Sequence, residues 1–291
     1  FTRKMPLETF KDVLDKLVPE YGSPVIGLSG SGEATMAKDL PDYIKEVKLR
    51  GLKAYINTNG AKLNGEFMKE IIDSGIDLVR FSVIGYNKEL YKKWMNVDNI
   101  RETMNYVKKI GSKCNISTYH LITDNNKIDF EVEEYKKLIS EFGCKAYIWK
   151  MHNFSGNYNN DVNPRSKTKR KTCGRPFADE LTVRAGGLNG QMASVTACCQ
   201  TLGPPNESKS VMGHLDSETF EEIYFGERYQ HLRKVHKEGN FDELDYCKDC
   251  DYLYEEPESL VWTNDKNFTP GQMLEVGSDF NIFKYDKDRV F

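Results

Sequence analysis

Hydrophobic and polar positions follow two periods along the first half of the chain. Residues 7–18 carry apolar side chains at helical spacing, and the apolar run 24–28 is typical of a short buried strand. This alternation of helix and strand continues to Met151. The later predicted helices cover 40–50, 65–74, 88–110 and 130–142, and the later strands cover 52–56, 76–83, 113–122 and 145–151. Apolar strands joined by helices predict an α/β fold with a parallel sheet, either open or closed into a barrel.

Small and polar residues occur at the carboxyl end of each predicted strand. These segments are 29–33, 57–60, 82–85, 118–120 and 150–153. In sheets and barrels of this kind, ligands bind beyond the carboxyl ends of the strands. The pattern therefore predicts the functional site at this edge of the sheet.

The second half of the chain has a different organisation. Residues 153–172 are rich in Asn, Gly, Ser, Lys and Arg, which predicts a linker or loop. Two short runs around a glycine-rich turn, 180–184 and 192–196, predict a β-hairpin, and a helix is predicted over 219–237. We divide the chain into an α/β core at 1–155, a linker at 156–172, a small α+β domain at 173–254 and a tail at 255–291, which shows no clear periodicity.

Charge and composition exclude several classes of protein. Lys and Arg number 41 against 44 Asp and Glu, and a net charge of -3 argues against broad electrostatic binding of nucleic acid. No apolar run approaches the roughly 20 residues of a membrane helix. The chain opens Phe1-Thr2-Arg3-Lys4 with no apolar segment behind it, so we expect no signal peptide and a cytoplasmic protein.

Cysteines supply the candidate metal ligands. The chain has seven, an odd number that does not suggest the disulfide framework of a secreted protein. Cys173 precedes the predicted hairpin, Cys198 and Cys199 follow it, and Cys247 and Cys250 form a C-x2-C pair. Zinc and a [4Fe–4S] cluster both accept four thiolates, and spacing alone does not separate them. Cys114 and Cys144 fit small buried hydrophobic residues better.

Taken together, the order of these motifs resembles the radical S-adenosylmethionine (SAM) enzymes with a C-terminal SPASM or twitch domain. Segment 31–33 is similar to their GGE motif, 57–60 to their TNG strand end, and 79–82 to the strand whose Ser contacts SAM. The resemblance implies SAM as a cofactor, bound by Ser31, Gly32, Glu33, Asn59 and Ser82. Without it, Glu33 would be explained as an acidic residue favoured at a helix N-terminus.

One motif of that family is not in the printed sequence. The C-x3-C-x2-C segment, whose thiolates bind a catalytic [4Fe–4S] cluster, does not occur, and five strands are predicted where the family's (β/α)6 barrel has six. We expect a sequence that begins just after the third of these cysteines, and thus a partial barrel without its first strand. A natural pseudoenzyme is the alternative.

The resemblance also implies a reaction. SAM is cleaved reductively to a 5′-deoxyadenosyl radical, which abstracts hydrogen from a small sugar-like or aminocyclitol-like substrate, with a flavodoxin or ferredoxin as electron donor. Four ligands, namely Cys173, Cys198 in preference to Cys199, Cys247 and Cys250, would hold one auxiliary [4Fe–4S] cluster for electron transfer. No cysteine follows Cys250, as in the shortened twitch form of an aminocyclitol dehydrogenase.

Two other functions stay open, and the substrate residues are the least defined. One alternative is a peptide-modifying (RiPP maturase) member of the family, and the other is a non-catalytic binding protein stabilised by zinc or a cluster on a degenerate barrel. The segment Ser29 to Gly32 has neither the spacing of a hydrolase nucleophile elbow nor that of a phosphate-binding loop. No catalytic side chain is assigned. Strand-end candidates for substrate contact are Tyr119, His120, His152, Asn153 and Arg184.

Overall fold

The computed structural model describes most of the chain. The described residues are 4–22, 24–30, 32–63, 65–111, 113–157, 172–178, 180–187, 190–201, 209–254 and 260–266. The predicted linker lies mostly outside them. All seven cysteines lie inside them, so the candidate metal centre can be described.

A six-stranded sheet forms the larger unit, in the order β1-β2-β3-β4-β5-β9. The first five strands pair in parallel and β9 joins β5 antiparallel. Their bounds are β1 Val25–Gly27, β2 Lys53–Thr58, β3 Leu78–Ser82, β4 Asn115–Leu121, β5 Lys145–Trp149 and β9 Leu260–Thr263. The five parallel strands confirm the expected α/β architecture.

Helices lead into and connect the parallel strands. They are α1 Leu7–Tyr21, α2 Leu40–Leu49, α3 Gly65–Asp73, α4 Lys88–Met95, α5 Ile100–Ile110 and α6 Ile128–Ser140. The single helix predicted over 88–110 is wrong, because Asn96 adopts the left-handed conformation, with φ of 54°, and ends α4. A new helix starts only at Ile100.

The two faces of the sheet have different characters. Alternate strand residues such as Ile56, Val79 and Phe81 pack with the helices in the main hydrophobic core. Their neighbours Tyr55 and Arg80 therefore project from the opposite face, since successive side chains of a strand alternate. We call this second face the open face of the sheet.

A smaller unit follows the predicted linker. Its antiparallel sheet has the order β6-β7-β8, with β6 Thr182–Arg184, β7 Ser194–Thr196 and β8 Val211–His214. The first two strands confirm the predicted hairpin. The helix predicted over 219–237 is two helices, α7 Phe220–Tyr224 and α8 Glu227–Glu238. This unit has a hydrophobic core of its own.

Helix α1 belongs to both cores. Phe10 and Leu14 pack in the core of the larger unit, whereas Val13 packs in that of the smaller unit. The apolar stripe that predicted this helix is therefore wide enough to join the two units. Among the described residues, no helix has the length and apolar character needed to cross a membrane.

Part of the tail belongs to the larger sheet. Strand β9 lies within the segment that was assigned to the tail, and Asn264 accepts a hydrogen bond from Ala146 N at 2.8 Å through its side chain. The tail is therefore not separate from the barrel sheet over 260–266. A strand of four residues carries too short a pattern to be recognised from sequence.

Candidate metal centre and strand-end site

Four cysteines line one cavity in the smaller unit. They come from three separate segments of the chain: Cys173, Cys198, and the pair Cys247 and Cys250. Arg175 and His236 are among the other residues that line it. The structure thus brings together the four thiols that the sequence predicted as ligands.

Short local elements position these thiols. Cys198 comes two residues after β7, where Ala197 N donates to Ser210 O at 2.8 Å. The C-x2-C pair forms a tight turn, in which Cys250 N donates to Cys247 O at 2.9 Å. Such a turn directs both side chains of a C-x2-C pair to the same side, as a shared metal centre requires.

Burial keeps three of the four thiols protonated when no metal is bound. It raises the pKa of Cys173 and Cys247, and it raises that of Cys250 to about 11. A thiolate is the form that binds metal, so binding would release protons from this cavity.

Four thiols around one cavity suit either kind of metal centre. Thiolates around one zinc must all lie about 2.3 Å from it. A [4Fe–4S] cluster takes each thiolate on a different iron, so its ligands lie further apart. Within the described ranges, no group of three His, Cys, Asp or Glu side chains is placed to hold one metal ion.

Cys199 has a different environment from its neighbour Cys198. It is not among the residues that line the cavity. Its Sγ accepts from Arg175 Nη1 at 3.2 Å, and its carbonyl accepts from Arg184 Nη2 at 3.2 Å. Cys198 therefore lines the cavity and Cys199 bonds to the two arginines beside it, and the choice of Cys198 as the ligand stays a prediction.

Two nitrogen-bearing side chains reach the cavity from different elements. Arg175 is 6% exposed, and Glu180 holds its Nη1 at 3.0 and 3.1 Å. His236 on α8 is 1% exposed, and burial lowers its pKa to about 4, so the ring is neutral at pH 7. The sequence analysis did not single out either residue, because an Arg and a His near cysteines carry no spacing signal.

At the strand ends, Glu33 is tied into the protein. Its Oε1 accepts from Thr35 N at 3.0 Å and from Thr58 Oγ1 at 2.7 Å, and its Oε2 accepts from Asn59 N at 2.7 Å. It also caps the short 3-10 helix Ala34–Met36. Glu33 therefore joins the loop after β1 to the end of β2. Gly32 is exposed beside it, and Ser31 lies outside the described residues.

Asn59 and Ser82 occupy neighbouring strand ends. Asn59 Oδ1 accepts from Ala61 N at 2.9 Å, and its carbonyl accepts from Tyr91 at 2.8 Å. Ser82 donates to the Tyr119 hydroxyl at 2.7 Å. The carboxyl ends of β2, β3 and β4 thus place these residues along one edge, as the sequence predicted. Their roles toward SAM stay predictions.

Tyr119 and His120 differ although they are adjacent. Tyr119 is half-buried on the open face, where the Arg80 guanidinium lies 5.3 Å from its ring centroid. His120 is fully buried on the helix side, and its Nδ1 accepts from Gly85 N at 3.0 Å while its Nε2 pairs with Glu131 at 2.9 Å. Both ring nitrogens of His120 are used, which leaves Tyr119 as the accessible member of the pair.

The remaining substrate candidates lie where the two units meet. His152 packs against Phe154 and Tyr252, and burial, with a smaller contribution from the Arg175 charge, lowers its pKa to about 4. Asn153 is buried, and its backbone N, side-chain nitrogen and side-chain oxygen all bind Asp249 or Asp251, in the turn that we call the cysteine knuckle because it contains Cys247 and Cys250. Asn153 therefore connects the units, and its role toward a substrate stays a prediction.

The open face carries residues that the sequence analysis passed over. The Tyr55 ring packs directly against Gly27 of β1. A Cβ atom at position 27 would lie only 2.5 Å from this ring. Burial raises the pKa of Tyr55; Arg80 opposes this effect, and Glu180 and Cys199 add to it. Arg80 could have been identified from the sequence, because it is a charged residue within the otherwise apolar strand β3.

Two protein-family models match the chain. The model of the Radical SAM superfamily matches residues 1–156, which is more than half of the chain. The SPASM model, an iron–sulfur cluster-binding domain, matches residues 189–251 and includes the C-x2-C pair.

Curated relatives match shorter segments. The chain is 38% identical over 85 residues to the Fe-coproporphyrin III synthase of Methanosarcina barkeri, covering 29% of this chain and 21% of that protein. It is 37% identical over 79 residues to the tungsten-containing aldehyde ferredoxin oxidoreductase cofactor-modifying protein of Pyrococcus furiosus, covering 27% and 22%. The matches thus span less than a quarter of either relative.

A solved structure shares the fold over most of the chain. BtrN in complex with AdoMet and 2-DOIA superimposes with a TM-score of 0.57, covering 86% of this chain and 82% of BtrN. The sequence identity is 17%, so this likeness concerns the fold.

Proposed function

The chain belongs to the radical SAM superfamily and carries a SPASM domain, and on that premise we propose that it is a radical SAM oxidoreductase acting on a small molecule. Its cofactors are SAM and [4Fe–4S] clusters, which both family matches imply. When bound, these groups supply a 5′-deoxyadenosyl radical for hydrogen abstraction and an acceptor for the electron that the substrate gives up. The protein residues position the reactants and exclude water.

One observation carries the proposal: four cysteines from three segments line a single cavity. If all four bind the auxiliary cluster, no iron is left open for substrate, so the cluster's role is electron transfer. Such a role fits an oxidation, because a substrate radical must lose an electron to become a stable product.

The strand-end residues fit the binding of SAM and substrate. Glu33 Oε2 accepts a hydrogen bond from Asn59 N, and a carboxylate oxygen can accept a second one from an ammonium group. On the open face, Tyr119 offers a hydroxyl for a polar substrate. We propose a sugar-like or aminocyclitol-like substrate, a class supported by the fold shared with BtrN, which was solved with 2-DOIA.

Reduction requires an electron donor, for which we propose a flavodoxin or ferredoxin. Seven cysteines without a disulfide among them suit a reducing compartment, so we place the protein in the cytoplasm. A peptide substrate is the alternative for the same chemistry. A binding protein stabilised by zinc or a cluster is the non-catalytic alternative, and the match to an iron–sulfur cluster-binding domain disfavours zinc.

Adjacent cysteines provide a matched test of the metal centre. The printed chain lacks C-x3-C-x2-C, so its auxiliary cluster can be measured alone after anaerobic reconstitution with iron and sulfide. We expect about four irons per chain in the wild type and in Cys199→Ala, and loss of iron in Cys198→Ala. One bound zinc, or full iron retention in Cys198→Ala, would contradict the assignment.

The reaction class is tested with the native gene product. With SAM and a reductant it should release 5′-deoxyadenosine. An aminocyclitol substrate should be converted to a product oxidised by two electrons. Cys198→Ala should lower the yield of oxidised product relative to 5′-deoxyadenosine, because the substrate radical loses its electron acceptor. If a peptide is oxidised and small polyols are not, the peptide-modifying alternative is favoured.

A further inference from the structure

Two buried side chains present unused nitrogen donors beside the cavity of the four cysteines. Nε and Nη2 of Arg175 and Nε2 of His236 have no hydrogen-bond partner among the described residues. Both side chains line the cavity, and both are more than nine-tenths buried. Buried donors are nearly always paired, because leaving one unpaired costs free energy. Something that binds in this cavity should therefore accept from them.

A chain of hydrogen bonds decides where His236 carries its proton. Gly174 N donates to Thr172 Oγ1 at 3.0 Å, and Thr172 Oγ1 lies 2.9 Å from His236 Nδ1. Among the described residues, the Thr172 hydroxyl has no other acceptor for its proton, so we infer that it donates to His236 Nδ1. A neutral ring that accepts at Nδ1 carries its proton on Nε2. The network thus assigns an N–H donor to the side of the ring that has no partner.

Arg175 is held in place by its other nitrogen. Nη1 binds both carboxylate oxygens of Glu180 and also donates to Cys199 Sγ, while the guanidinium carbon lies 5.6 Å from the Tyr252 ring centroid. Glu180 and Cys199 therefore fix the guanidinium without using Nε or Nη2. A fixed cation with two free donors is suited to an anionic partner.

We propose that Arg175 and His236 donate hydrogen bonds to sulfur atoms of the auxiliary cluster and raise its reduction potential. The inference rests on the proposed function, since it assumes a [4Fe–4S] cluster on the four cysteines. Such a cluster takes up one electron and no proton, so its reduced form carries one more negative charge. Hydrogen bonds to the sulfurs, and a nearby cation, stabilise that form more than the oxidised one.

This arrangement deepens the role of the auxiliary centre. A higher potential makes the cluster a better acceptor for the electron of the substrate radical. Arg175 and His236 would then be positioning residues, which act on the substrate only through the cluster. Cys199, which binds Arg175, would belong to the same set although it holds no iron.

The test is an anaerobic redox titration of the reconstituted chain, followed by electron paramagnetic resonance. Arg175→Met should raise the oxidised-to-reduced ratio at a fixed potential by at least about tenfold, which is a shift of about 59 mV for a one-electron couple. Arg175→Lys should recover part of the shift. His236→Phe should shift the ratio in the same direction, and His236→Gln, which keeps an N–H donor, should shift it less.

Matched controls remove similar groups outside the cavity. Lys248→Gln deletes an exposed cation next to Cys247, and His231→Phe replaces an exposed histidine of α8. Both should keep the wild-type potential, because water screens exposed charges. Unchanged potentials in Arg175→Met and His236→Phe would overturn the inference while leaving the cluster assignment intact.

A measurement on the wild-type protein tests the inference even if the variants fail to assemble a cluster. With ¹⁵N-labelled histidine, pulsed electron paramagnetic resonance of the reduced cluster should show a coupling to a histidine nitrogen. The His236→Gln variant should lack this coupling. Absence of this coupling in a wild type that holds four irons rejects the role of His236. A wild type that holds no [4Fe–4S] cluster would instead reject the proposed function and this inference together.

Discussion

His120 and Glu131 form a buried pair that holds the edge of the sheet. Their side chains are 0% and 2% exposed, and their closest atoms are 2.9 Å apart. Glu131 also accepts from Thr123 N at 2.9 Å, and His120 accepts from Gly85 N at 3.0 Å. The pair thus fixes the loops after β3 and β4, which border the strand-end site.

We predict that His120→Ala lowers the free energy of unfolding by about 3–5 kcal/mol, because it leaves a buried carboxylate without its partner. His231→Ala is the control, since His231 lies 3.8 Å from Glu243 and is half exposed; its cost should stay below about 0.5 kcal/mol. Chemical denaturation measures both. A cost below about 1 kcal/mol for His120→Ala would contradict the structural role.

The same pair predicts a dependence of stability on pH. Burial by itself would raise the pKa of Glu131, but hydrogen bonds from His120 and Thr123 outweigh burial and lower it. A carboxyl group with a lowered pKa in the folded state stabilises the protein above its unfolded pKa. This contribution should be lost as the pH falls below about 4.3, and Glu131→Gln should lose less stability over that range.

At the scale of elements, the break between α4 and α5 shows how one residue redirects a helix. Asn96 N donates to Lys92 O at 3.0 Å and closes α4 in the left-handed conformation. Asn is one of the few residues that tolerate this conformation with a side chain. The side chain is exposed, so its effect on stability comes from the backbone.

We predict that Asn96→Ala lowers the free energy of unfolding by about 1 kcal/mol, since alanine pays the steric cost of the left-handed region. Asn96→Gly should be close to neutral, because glycine adopts this conformation freely. Thermal unfolding of both variants measures the difference. Equal stability of the two variants would show that the left-handed cap does not contribute.

At the scale of the whole molecule, one asparagine joins the barrel sheet to the cysteine knuckle. Asn153 follows β5, its backbone N donates to Asp251 Oδ2 at 2.7 Å, and its side chain donates to Asp249 O at 2.7 Å and accepts from Asp251 N at 3.1 Å. This junction holds Cys250 and the end of β5 in a fixed relation. The proposed electron transfer between the two units would depend on that relation.

We predict that Asn153→Ala loosens the knuckle, because two buried backbone groups lose their partner at a cost of about 1–3 kcal/mol each. Hydrogen exchange of residues 249–253 should speed up, and chelators should remove iron faster. Asn157→Ala is the matched control, since Asn157 lies on the same segment, is exposed and binds only Phe154 O among the described residues. Unchanged exchange and iron loss in Asn153→Ala would contradict the junction.

Local patterns were enough for much of this protein. The apolar stripes of α1 and α2, the apolar runs of β2 to β5 and the hairpin of β6 and β7 all depend on residues close in sequence. The cysteine spacing and the strand-end motifs together indicated the radical SAM family, which the family models confirm. Periodicity and motifs are local, so they can be read along the chain.

Only the tertiary structure decided what depends on distant residues. It pairs β9 with β5, across more than 100 residues of chain, and it places Cys198 on the cavity while Cys199 turns to Arg175. It also places hydrogen-bond partners at both ring nitrogens of His120, and it brings Arg175 and His236 to the cavity of the four cysteines. The sequence analysis left these features unassigned or assigned differently, because partners that meet through folding leave no periodic signal in either segment.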